Sequence, residues 1–97
     1  MSLDICMEYK DKTKSYIEFS ENLHNKIFIQ SNFYTYLKSL KKIKDYYLCD
    51  ESFKDKALME FISDLKVAQG RLKDKNLKEL LEKLEDSNII NIRATGD

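Results

Sequence analysis

The chain contains no proline, no tryptophan and two glycines in 97 residues. With no proline, no position loses its amide hydrogen, and Gly70 is the only glycine before the closing ATGD. So few breakers predict long helices joined by short loops. A lone glycine in AQGRLKDK also excludes the glycine-rich loops that cradle phosphate. Two cysteines, Cys6 and Cys49, are too few for a disulfide framework and lack metal-ligand spacing. If the first two helices form a hairpin, the two cysteines are offset by about 9 Å along it, too far to bridge. Both are expected to be reduced and mostly buried.

Other absences bound the class. No apolar run approaches the roughly 20 residues that span a bilayer. The opening MSLDICMEYKDK is broken by Asp4 and Glu8, so it does not read as a secretory leader. A cytoplasmic protein with no membrane contact is expected. Lysine and arginine total 17 and so do aspartate and glutamate, so no net field draws the chain to nucleic acid.

What is present is charge interleaved with apolar side chains at helical spacing. From Leu3 to Phe28 the residues Cys6, Tyr9, Thr13, Tyr16, Ser20, Leu23 and Ile27 recur at intervals of three and four. Ile5, Ile17 and Phe19 flank that stripe. This predicts one amphipathic helix over 3–28, near 37 Å long at about 1.5 Å per residue. The segment SNFYTYLKSLKKIKDYYLCDESF mixes aromatic rings with lysines. On a helical wheel Phe33, Tyr36, Leu37, Leu40, Ile43, Tyr47 and Leu48 share one face, opposite Lys38, Lys41 and Lys42, so a second helix is expected over 33–48. Ser52 with Asp55 resembles a capping box and predicts a third helix over 53–69, with Leu58, Phe61, Leu65 and Ala68 inward and Gly70 as its stop. Asn76 and Glu79 open a fourth over 77–86, with Leu77, Leu80, Leu81 and Leu84 inward. Residues 88–97 read as an extended tail. The predicted fold class is all-α: one domain, an antiparallel bundle of three longer helices plus one short C-terminal helix and that tail.

Catalytic and metal chemistry find little support. Glu21 and His24 form an E-x-x-H pair, but bundle di-iron sites need a second pair and this chain has no second histidine. His24 reads as a half-buried ring making one hydrogen bond. Cys6 lies about 27 Å from His24 along one helix, so the two cannot act together. A non-enzymatic protein with no cofactor and no metal is expected.

The stretch LKELLEKLEDSNIINIRATGD resembles the end of a winged-helix domain. That resemblance implies Leu77, Leu81 and Leu84 packed inward, Lys75, Lys78 and Lys83 facing DNA, and Ile89 to Ile92 in a first wing strand. It makes a DNA-binding module the alternative function. The preferred expectation is a small regulatory bundle that binds another protein, with a second copy of the chain as one candidate partner. Bacteriocin immunity proteins, antitoxin-like partners, secretion chaperones and phage inhibitors are bundles of this kind. Phe28, Ile29, Tyr46, Met59 and Val67 fall off the main apolar stripes and suggest an exposed patch. The predicted contact residues are Tyr34, Lys38, Lys41 and Lys42 on the second helix, then Met59 and Val67 on the third.

Overall fold

Residues expected to make one long helix fold instead as a β-hairpin and a short helix. The computed structural model describes residues 3–96. Strand β1 (Leu3–Tyr9) pairs antiparallel with β2 (Lys14–Phe19), and helix α1 (Glu21–Phe28) follows. Leu3, Ile5 and Met7 alternate with Asp4, Cys6 and Glu8, which is the period of a strand with one buried face. The hairpin turn at Lys10–Lys12 has no glycine to announce it. Lys12 takes the left-handed conformation, φ 71°, that this loop length requires. Ser20 caps α1 by accepting a hydrogen bond from the Leu23 amide at 3.1 Å.

The helix expected over 33–48 is also absent. In its place are a 3-10 turn, Phe33–Tyr36, and one helical turn, α2 (Lys38–Lys41), separated by Leu37 at φ −108° and ψ 84°. Asp64, from the helix described next, caps α2 across the fold, its Oδ2 accepting from the amides of Ser39 at 2.9 Å and Leu40 at 3.0 Å. Phe33, Leu37, Leu40, Ile43 and Tyr46 are buried. Intervals of three and four therefore describe a chain of turns here as well as they describe a helix.

Strand β3 (Asp50–Lys54) precedes α3 (Lys56–Leu72), so this helix starts later than expected because Phe53 belongs to the sheet, opposite Ile92. Helix α3 runs through Gly70 and stops where Lys73 turns left-handed, φ 50° and ψ 46°. Phe61, Leu65 and Ala68 are buried as their spacing predicts. Helix α4 (Lys75–Leu84) buries Leu77, Leu80, Leu81 and Leu84, also as predicted. It is capped by Asp74, which accepts from the Leu77 amide and pairs with Lys26 at 2.7 Å.

The expected tail is the largest correction. Ile89–Gly96 forms β4, which lies between β1 and β3 in a four-stranded antiparallel sheet of order β2-β1-β4-β3. Residue 97 of that expected tail lies outside the described residues. The protein is thus an α/β fold and not an all-α bundle: one sheet face is covered by helices and the other is open. Leu3, Ile5, Met7, Phe19, Phe53, Ile92 and Ala94 face the helices and are buried. The rings of Phe53 and Phe61 stack at 4.2 Å and join the sheet to α3. Gly96 packs tightly against neighbouring backbone. Its amide donates to the Cys49 carbonyl at 2.9 Å, and a Cβ there would lie 2.3 Å from the Tyr46 carbonyl oxygen.

Candidate functional site

His24 ties α1 to the irregular segment that follows α2. The Ile43 carbonyl can only accept, so the His24 Nε2–H donates to it, at 2.9 Å. The His24 ring packs against Phe28 at 4.5 Å, Tyr46 at 5.0 Å and Phe19 at 6.0 Å. Burial among these rings holds the imidazole pKa below its usual value, against the opposing pull of the Ile43 carbonyl, Asp45 and Glu21. The histidine is a neutral strut, as the single hydrogen bond expected from the sequence suggests, although it is buried and not half-buried.

A cleft of about 500 Å³ opens beside this strut. Its walls are Asn25, Phe28 and Ile29 on the α1 side and Lys44 to Tyr47 on the other. The Asp45 carboxylate accepts from the amides of Tyr47 at 3.1 Å and Leu48 at 3.0 Å, making a tight turn. That turn leaves Tyr47 44% and Leu48 81% exposed, and across the cleft Ile29 is 74% exposed. A solvated isoleucine that shares a cleft with Phe28, Tyr46 and Tyr47 belongs to an apolar patch, whereas single scattered ones need no explanation. Glu21, Lys44 and Asp45 supply charge of both signs at the rim.

Of the residues predicted from sequence, Tyr34 does not line the cleft but packs against two of its wall residues, Phe28 and Lys44. It is half-buried, its ring 5.1 Å from Phe28 and 5.2 Å below the Lys44 ammonium. Lys38, Lys41 and Lys42 are exposed, and Lys42 leans instead toward Phe53, 5.9 Å away. Met59 and Val67 lie exposed on α3 and do not line the cleft. The predicted group is therefore not brought together. Ile29 carried a sequence signal, since it fell off the helical stripe. Tyr47 and Leu48 carried a false one, because the wheel placed them inside.

The buried Cys49 thiol has its pKa raised by desolvation, which leaves it a poor nucleophile. Among the described residues no group of His, Cys, Asp and Glu is placed to hold a metal, and no helix is long and apolar enough to cross a membrane. On the open sheet face, Cys6 is flanked by Tyr16 and Arg93, whose guanidinium is held by both Asp50 oxygens at 2.9 and 3.0 Å. On α4, Lys75, Lys78 and Lys83 are exposed but share the surface with Glu79, Glu82 and Glu85. The strand after α4 is the centre of a sheet and not a wing. Comparison with known protein families, characterised proteins and solved structures finds no match to the chain.

Proposed function

We propose that the protein is a small non-catalytic module that binds another protein through the cleft between α1 and the 44–48 turn. The occupant is an amphipathic segment of a partner protein that seats an apolar side chain between Ile29 and Tyr47. The observation that carries this reading is that solvated Ile29 and the partly exposed Tyr47 line one aromatic-walled cleft. Buried aromatic and aliphatic anchors supply most of the energy in such contacts, while rim charges such as Lys44 and Asp45 set register and encounter rate. This keeps Tyr34 beside the predicted contact and moves its centre away from Lys38, Lys41, Lys42, Met59 and Val67.

The test is a photo-crosslinking residue placed at Tyr47 and, separately, at Met59, in the native host. One discrete adduct from position 47, lost when Ile29→Asp is added, is the expected result. No adduct, or the same adducts from both positions, sinks the proposal. Both sites are exposed, so the substitutions leave folding within about 0.5 kcal/mol. A DNA role for α4 has less support, because its lysines share the surface with glutamates that repel phosphate. Binding of a mixed-sequence duplex that collapses as salt rises would instead single out Lys75, Lys78 and Lys83.

A further inference from the structure

The sheet ends on one side at β2, and ladder geometry says which of its backbone groups are free. The Tyr9 amide donates to the Thr13 carbonyl at 2.9 Å, so that pair is in the hydrogen-bonded phase. Antiparallel alternation then places Ser15, Ile17 and Phe19 in bonded pairs with Met7, Ile5 and Leu3. The Gly96 bond to Cys49 keeps the same phase across the sheet. The amides and carbonyls of Lys14, Tyr16 and Glu18 therefore point away from β1, along an edge with no proline and no bulge. Natural edges of this kind are usually blunted.

The side chains on that edge are self-complementary. We propose that β2 pairs antiparallel with β2 of a second copy about a two-fold axis at Tyr16, joining the two sheets into one. In this register Tyr16 lies against the partner's Tyr16, and Lys14 lies opposite the partner's Glu18 at both ends of the pair. The free amides and carbonyls of Lys14, Tyr16 and Glu18 are the ones this register uses. Neither Lys14 nor Glu18 has an ion pair inside its own chain among the described residues, and Tyr16 is 70% exposed. On the helix side, half-buried Ile17 opens onto a cleft of about 340 Å³ rimmed by Glu79 and Lys83, which a second copy would cover. The opposite edge, β3, is a weaker candidate, because its Asp50 is already held by Arg93 and a serine sits at its centre.

Sedimentation of the full chain across a concentration series up to about 1 mM, the weak end of specific affinity, reads the assembly. The expected result is a monomer–dimer equilibrium, weakened about tenfold by Lys14→Glu or by Glu18→Lys, since each sets like charges opposite at both ends. The double variant Lys14→Glu/Glu18→Lys restores it, because the charges again alternate across the axis. Tyr16→Pro removes an outward amide without touching the β1 ladder, so it abolishes the dimer and leaves a folded monomer by circular dichroism. Ser52→Pro, on the other edge, leaves the dimer intact. A wild-type chain that stays monomeric throughout overturns the proposal. So does a dimer that survives Tyr16→Pro, or a double variant no tighter than the single ones.

Discussion

At Gly96 a single added methyl group has nowhere to go. Its neighbours would be the backbone of Tyr46 and Tyr47, with contacts of 2.3 to 2.8 Å, and backbone cannot swing aside as a side chain can. Gly96→Ala is expected to destabilise the fold by about 1–3 kcal/mol, read from the urea midpoint. Gly70 is the opposite case: it sits inside α3 with nothing within 4 Å of an added Cβ. Gly70→Ala should therefore raise stability by about 1 kcal/mol through helix propensity alone. His24 gives a residue-scale pH dependence. Its folded pKa lies below the ordinary 6.5 because burial disfavours the charged ring. Below that ordinary value the unfolded chain takes up a proton that the folded chain refuses, so its contribution is full above about pH 6.5 and is lost as pH falls toward the folded pKa. Urea midpoints should fall across that window, and His24→Phe should remove the histidine's share of the slope.

At the scale of the element, the α2 turn depends on a residue far from it in sequence. With four residues, this helix is too short to hold itself and relies on Asp64 for its first amides. Asp64→Ala should cost about 1–2 kcal/mol. It should speed hydrogen exchange over 38–48 while leaving the β1 and β4 amides protected. Exchange that rises evenly over the whole chain would show that the segment does not open separately. The same dependence explains what the sequence did and did not disclose. Helices α3 and α4 were legible because each carries one apolar stripe: Phe61, Leu65 and Ala68 bury in one, with Leu58 only half-buried, and the four leucines bury in the other. The hairpin was hidden for two reasons. Cys6, Tyr9, Thr13 and Tyr16 happen to repeat at helical spacing, and Lys12 occupies a turn position where glycine would have signalled a break. The interval pattern over 33–46 was real, but the segment forms turns instead, one of them capped by the distant Asp64 carboxylate, a partner no local rule sees. In the cleft, Ile29 was visible as an apolar residue off its stripe. Tyr47 was hidden by a helix that does not form.

At the scale of the molecule, the decisive fact is that Ile89–Gly96 is the bridge between β1 and β3 and not an appendage. Three isoleucines and an alternation of Ile92, Ala94 and Gly96 on one face had strand character. Only the unrecognised partners on either side made the segment look like a tail. The arrangement also has a mechanical consequence. Leu3 and Gly96 are register partners at the same end of the antiparallel pair β1 and β4. Opposite tension applied at those two residues loads the inter-strand hydrogen bonds one rung at a time, as in opening a zipper, instead of shearing them together. An optical-trap experiment with handles there should find the sheet parting at low force, whereas handles at Tyr9 and Gly96, at opposite ends of the same two strands, should find it much more resistant. Opposite pull on Leu3 and Gly96 therefore acts directly on two strands of the core.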